Sequence, residues 1–236
     1  MAHKIDIILL TYDNVDDTDN CLDHLYSFTT EDFRLIVLDN NSTDGTVEYL
    51  KEFEKREDNV ILHLSDKNFG CVSGRNFAYG LSGDSEYVCF LDNDQFVGGG
   101  WLEIYMEYID KGFDIVGAEG WQMRSDFYPL RRTKEDETFS YVGCGGMVLK
   151  RKVIDDIGLF NDSFNPLYFE DPDFCWRAND AGYKICWDIY HAICHKPHKL
   201  LGIGDERKKQ FIKSWGIFKK TWRGTSVPKL SNTIDK

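Results

Sequence analysis

No apolar run in this chain approaches the roughly 18 residues that a membrane-crossing helix needs, and the N-terminus, MAHKIDIILL, lacks the pattern of a secretory signal. Paired cysteine motifs are missing as well. The seven cysteines stand at 21, 71, 89, 144, 175, 186 and 194, an odd number, and several lie in apolar runs where a free thiol behaves as a small hydrophobe. This argues against a zinc cluster or a disulfide framework. Positive charge is scarce: 28 Lys and Arg face 40 Asp and Glu, for a net charge of −12. What is present is enough to fold. Hydrophobic residues make up 42% and aromatics 14% of 236 residues, which predicts a packed core in one sizeable domain, or one domain with an appendage. The expected product is a reduced, cytoplasmic globular protein.

The scarce positive charge is unevenly placed. From Lys196 to Lys236 there are eleven Lys and Arg against three Asp and Glu, +8, which leaves −20 for the remainder. An acidic body disfavours nucleic acid lying across the main surface. The segment GDERKKQFIKSWGIFKKTWRG interleaves Phe211, Ile212, Trp215, Ile217, Phe218 and Trp222 with lysines. Two readings stay open: an amphipathic helix on the inner face of an anionic membrane, or a terminal helix that packs its aromatic stripe on the domain. The expected division is 1–198 for the main domain and 199–236 for this basic extension.

Strand and helix signals alternate through the first half. IDIILLTY reads as a buried strand, followed by a helix from about Asp16 to Phe28. RLIVLD is a second strand, after which Ser42 or Asp44 can cap the helix TVEYLKEFEK. NVILHLS is a third strand, followed by the turn NFGCVSG and a helix from about Arg75; YVCFLDND is a fourth. WLEIYMEYID has helical spacing, and DIVGAEGW follows as a strand. Such alternation predicts an α/β fold with a mostly parallel sheet and helices on both faces. Ligands in such sheets bind beyond the carboxyl ends of the strands, where Thr11, Tyr12, Asp39, Asn68, Asp92 and Asp94 gather.

The fourth strand is the most informative. In YVCFLDNDQF an apolar run ends in Asp92, Asn93 and Asp94. Carboxylates spaced i, i+2 on an extended backbone share one side, and like charges held together call for a cation between them. A divalent metal carrying a diphosphate suits that chemistry, because hard cations take oxygen ligands and leave positions open for phosphate. A polar turn rich in Asp and Asn is the plain alternative.

The second half differs. YVGCGGMVLKR is a Gly-broken strand in which Cys144-Gly145-Gly146 permits close backbone approach. VIDDIGLF is a short helix. FEDPDFCWRANDAGYKI places Glu170 and Asp171 ahead of a helix running from about Pro172 to Gly182, so these acids could also be simple cap and first-turn residues. CWDIYHAICH reads as a strand that puts His191 and His195 on one face.

Taken in order, ILLTYDN, VLDNNSTDGT, NFGCVSGRN, FLDND, CGGMVLKR, FEDPDFCWRANDAGYKI and the later His195 resemble the family 2 glycosyltransferases, inverting enzymes of the GT-A fold, over about residues 5–198. Each motif is weak alone; their order makes the match specific. The resemblance implies a Rossmann-like mostly parallel sheet, a smaller acceptor-side part, and transfer of a sugar from a nucleoside diphosphate sugar, most often a UDP-sugar. It implies that Thr11 and Tyr12 line the nucleotide cleft with Asn68, and that Asp39 accepts a hydrogen bond from the base. Arg75 would contact the nucleotide. Asp92 and Asn93 would lie near the ribose and donor, and Asp94, with Asp92 and His195, would hold Mn²⁺ or Mg²⁺. Gly145 and Gly146 would lie beside the donor sugar. Asp171 would be the general base, with Glu170 as the alternative.

The acceptor implied is a glycan or lipid-linked glycan. Two other classes compete. A sugar nucleotidyltransferase would share the α/β core, but its Gly-rich N-terminal phosphate-binding run is missing here. A non-catalytic nucleotide-binding or scaffold protein would not need Asp92, Asp94, Asp171 and His195 together.

Overall fold

The computed structural model describes residues 4–196 and 204–233; the expected boundary between 198 and 199 lies outside the described residues. The first strand, β1 (Ile5–Thr11), is buried at every position, as a strand flanked on both edges and covered on both faces must be. α1 (Val15–Phe28), β2 (Phe33–Asp39), α2 (Thr46–Glu54), β3 (Val60–Leu64) and α3 (Cys71–Tyr79) follow. Next come β4 (Tyr87–Asp92), β5 (Gln95–Val97) and α4 (Trp101–Asp110). The short strands β6 (Ile115–Gly117), β7 (Gly120–Met123), β8 (Pro129–Arg132), β9 (Tyr141–Val142) and β10 (Met147–Lys150) lead to α5 (Arg151–Ile157). A 3₁₀ turn (Asp162–Phe164), α6 (Glu170–Asp180), β11 (Ile185–Trp187), β12 (Ile193–His195) and α7 (Asp205–Thr221) complete the described chain.

Seven strands form the main sheet in the order β11-β6-β10-β4-β1-β2-β3. β3, β2, β1 and β4 run parallel, whereas β10 is antiparallel to both β4 and β6. Alternate residues feed two cores. Ile8, Leu10, Ile36, Leu38, Val88 and Phe90 meet α3, α5, α6 and α7 on one face. Ile7, Leu9, Leu35, Val37, Cys89 and Leu91 meet α1, α2 and α4 on the other. A three-stranded sheet, β8-β7-β9, stands beside the main one.

Several local expectations need correcting. α3 begins at Cys71, one turn before Arg75, because Asn68 Oδ1 accepts the Gly70 N–H (2.7 Å) and Asn165 Oδ1 accepts the Ser73 N–H (3.2 Å). α6 begins at Glu170, so Glu170 and Asp171 belong to its first turn instead of preceding it. The segment Cys186–His195 is not one strand. The buried Asp188 carboxylate accepts the N–H groups of Tyr190 (2.9 Å) and Ala192 (2.6 Å), and this turn separates β11 from β12. His191, at φ +54°, is exposed and does not share a face with His195. Asp44 serves two helices: it accepts the Thr46 N–H of α2 (3.2 Å) and the Val15 N–H of α1 (3.1 Å), while Ser42 Oγ accepts the Asp13 N–H (2.7 Å).

α7 packs its aromatic stripe on the body. Phe218 and, just past the helix end, Trp222 are buried, with ring centroids 4.9 and 5.2 Å from Trp176. Lys208, Lys209, Lys213, Lys219 and Lys220 face outward with Ile212. Among the described residues no helix is long and apolar enough to cross a membrane.

Candidate active site

β4 ends at Asp92, and Asn93 and Asp94 form a tight turn into β5. That turn corrects the expectation that the two carboxylates share a strand face: they go to different partners. Asp92 Oδ1 accepts from Arg75 Nη2 at 2.6 Å. Asp94 Oδ2 lies 3.2 Å from His195 Nε2. The His195–Asp94 encounter joins residues 101 apart in sequence, and β12 makes it possible by pairing with β5 so that His195 lies opposite Gln95. Asn93 turns away, donating to Asp13 O (3.0 Å) and Thr18 Oγ1 (2.9 Å), and thereby ties the turn to the start of α1.

A cavity of about 480 Å³ opens beside this turn. Its wall brings together Arg75, Asp92, Gly145, Glu170, Asp171 and His195 from the expected set. Arg75, 4% exposed, is the hub: besides Asp92, its Nη1 lies 3.7 Å from Glu170 Oε1. Arg75 Nε and Nη1 and Glu170 Oε2 are buried without a hydrogen-bond partner. Buried polar groups left in that condition are costly, and here they mark places where a bound ligand would complete the bonding.

The glycines are needed where they stand. Gly146 has φ +72°, and a Cβ on Gly145 would stand 2.6 Å from Asp92 Oδ2 and 2.9 Å from Gln95 Nε2. Gln95 was not anticipated. It is buried, lines the cavity, and accepts the Asp92 N–H through Oε1 at 3.0 Å, so it fixes the backbone that carries Asp92. Its position directly after DND was the available signal. Trp121, Tyr141 and Tyr168 also line the cavity and supply an aromatic wall that sequence patterns had not pointed to.

The remaining expected residues lie apart from this wall. Thr11 and Asp39 are register partners at the ends of β1 and β2 and are fully buried. Thr11 Oγ1 donates to Asp39 Oδ1 (3.3 Å), and Asp39 Oδ2 accepts the Ser42 N–H (3.0 Å). Tyr12 is 49% exposed and Asn68 is exposed.

Burial dominates the electrostatics. It raises the Glu170 carboxyl above its ordinary range against the pull of Arg75. Asp171 is raised further, first by burial and then by the neighbouring Glu170. The Cys144 thiol, raised by burial, stays protonated and lies 3.9 Å from Glu170 Oε1. His195 is raised by its bond to Asp94, with burial opposing.

Two carboxylates and an imidazole are a suitable donor set for Mn²⁺ or Mg²⁺, and two of the three, Asp94 and His195, are adjacent. Among the described residues no three His, Cys, Asp or Glu gather as a metal cage. Cations that bind through one or two protein groups plus substrate phosphate do not require one.

The sequence model described as Glycosyl transferase family 2 matches residues 6–165, from β1 through the 3₁₀ turn; α6, β12 and α7 lie beyond it. The glycosyltransferase AglE of Haloferax volcanii is 26% identical over 222 residues, covering 88% of this chain and 70% of its own. Among solved structures, a mannosyltransferase from Pyrobaculum calidifontis in complex with GDP-Man and Mn²⁺ is similar at a TM-score of 0.69 and 16% identity, covering 97% of this chain and 66% of that one. GalNAc-T7 with UDP, GalNAc and Mn²⁺ gives a TM-score of 0.77 at 12% identity, covering 94% and 48%. Those two likenesses establish the fold, and the chain spans only part of each protein.

Proposed function

The chain belongs to glycosyl transferase family 2 and has the GT-A fold, and we propose that it transfers a sugar from a nucleoside diphosphate sugar, a UDP-sugar by preference, to an acceptor hydroxyl with inversion at the anomeric carbon. One observation carries this reading: Asp92 at the end of β4 and Glu170 with Asp171 at the start of α6 meet in one cavity, bridged by the buried Arg75.

Asp171 acts as the base. A sugar hydroxyl is a poor nucleophile, so its proton passes to the Asp171 carboxylate while its oxygen attacks the anomeric carbon and the bond to the diphosphate breaks. A single displacement from the face opposite the leaving group inverts the configuration. Arg75, with N–H groups still unpartnered, is suited to meet negative charge developing on the leaving side. A bound Mn²⁺ or Mg²⁺ would neutralise diphosphate charge, and Asp94, Asp92 and His195 are the residues that would hold it. The exposed Tyr12 and Asn68 take the nucleoside along the neighbouring strand ends, over a floor formed by the buried Thr11 and Asp39, Asn93 holds the turn that carries its flanking acids, and Gly145 and Gly146 leave room for the donor.

The acceptor is a glycan or a lipid-linked glycan, presented at the inner face of an anionic membrane. The outward lysines of α7 support this placement, since each basic residue near such a surface is worth about 1 kcal/mol.

A panel of UDP-, GDP- and dTDP-sugars, with and without Mn²⁺, tests the reaction. The expected result is metal-dependent release of UDP and a product of inverted anomeric configuration. Retention of configuration would refute the single displacement; UDP binding without turnover would favour a binding protein, and formation of UTP from a UDP-sugar and added pyrophosphate a nucleotidyltransferase.

A further inference from the structure

α7 lies outside the family-matched residues, yet it reaches the segment that carries the acids. The fully buried Ser214 Oγ donates to Leu167 O (3.1 Å), and Gln210 Nε2 donates to Ser214 Oγ (2.9 Å) and Leu167 O (3.5 Å). Trp222 Nε1 donates to the buried Asp173 Oδ1 (3.0 Å), whose other oxygen accepts from Arg177 Nε (2.9 Å). The Phe169 ring lies 5.3 Å from both Phe211 and Phe218. These contacts bracket residues 167–173.

Inside the bracket the backbone is strained. Tyr168 and Phe169 stand at φ +77° and +73°, a left-handed region that bulky residues rarely occupy. Phe169 is also the N-cap of α6 and makes no side-chain capping bond. Strain of this kind persists only where surrounding structure over-determines it. α7 supplies the surrounding contacts given above, and Glu170 and Asp171, which line the cavity, follow the strained pair directly in the chain.

We propose that α7 is a brace for the base: Ser214, Gln210 and Trp222, none of which lines the cavity, are positioning residues that hold 167–173 in the conformation presenting Glu170 and Asp171 to the acceptor. The proposal rests on the transfer reading above, and its test separates the two. Ser214→Ala deletes one brace bond at little change in volume, Trp222→Phe deletes another along with part of the buried indole, and Glu206→Gln alters only the exposed face of the same helix. Hydrogen exchange over 166–173, turnover, and donor KM are measured for each with the most active donor.

The expected result is faster exchange confined to 166–173 and about tenfold lower kcat in both brace variants, with donor KM unchanged; Glu206→Gln should match the native chain, and Ser214→Thr, which keeps the hydroxyl, should recover most of the turnover. Unchanged exchange, or faster exchange with unchanged kcat, would overturn the brace. A parallel rise in donor KM and fall in thermal stability would also overturn it, because that pattern marks general support of the fold. If the native chain turns over no donor, the transfer reading fails, and exchange over 166–173 alone decides the brace.

Discussion

At the first turn of α6, two influences on Asp171 oppose each other. The helix N-terminus favours the carboxylate, as a base requires, whereas burial and the adjacent Glu170 favour the acid. The sequence shows only the first influence; the fold makes the second dominant. The consequence for rate is definite in sign. A base works only when deprotonated, so turnover should fall as pH drops through a midpoint above the ordinary carboxylate range, and a pH–kcat profile will locate it. Stability should run the other way. Because the folded pKa is raised above the unfolded one, the protonated carboxyl stabilises the fold fully below the unfolded pKa, and that contribution is lost as pH rises through the folded pKa. Asp171→Asn therefore should raise Tm at neutral pH, and a calorimetric melt checks it. Arg75 presents the opposite case. Removing it leaves Asp92 and Glu170 without their shared cation, and Arg75→Ala should cost about 3–5 kcal/mol by denaturant unfolding.

Among the elements, α7 joins stability to the site. Phe218 is fully buried among Trp176, Phe127, Phe164 and Phe169, so Phe218→Ala should cost about 3–5 kcal/mol in a urea melt. The helix itself was legible from its aromatic and lysine spacing, and β1, β2, β3, β4 and α4 from their apolar runs. The errors have a common cause. Where β4 ends, where α3 begins and where the Cys186–His195 segment breaks are all set by side-chain-to-backbone bonds from residues such as Asn165 and Asp188, which periodicity does not register. The pairing of β12 with β5 lies deeper still: it joins segments about a hundred residues apart, and only that pairing explains why His195 meets Asp94.

The whole molecule is polarised, an acidic body with a basic terminal segment. α7 buries its aromatic face against the body, as the packing expectation for the tail has it, and contact of its outward lysines with an anionic surface is the proposal to be tested. Replacing Lys208, Lys209 and Lys213 by Glu should abolish co-sedimentation with vesicles rich in anionic lipid while turnover of a soluble acceptor persists; unchanged sedimentation would remove the membrane placement. Family-wide motifs made the acidic half of the site legible, since Arg75, Asp92, Glu170, Asp171 and His195 do converge on one cavity. The nucleoside half is less direct, because both Asp39 oxygens are already engaged by Thr11 and Ser42 in the fold.

The central claim is that binding and chemistry divide between β4 and α6. Titration of UDP with Mn²⁺ into the native chain and Asp171→Asn, with transfer assayed on the same samples, tests that division directly. Equal metal-dependent affinity in both proteins, with transfer confined to the native chain, is the predicted result. Transfer that survives in Asp171→Asn, or UDP affinity that vanishes with it, would contradict the account.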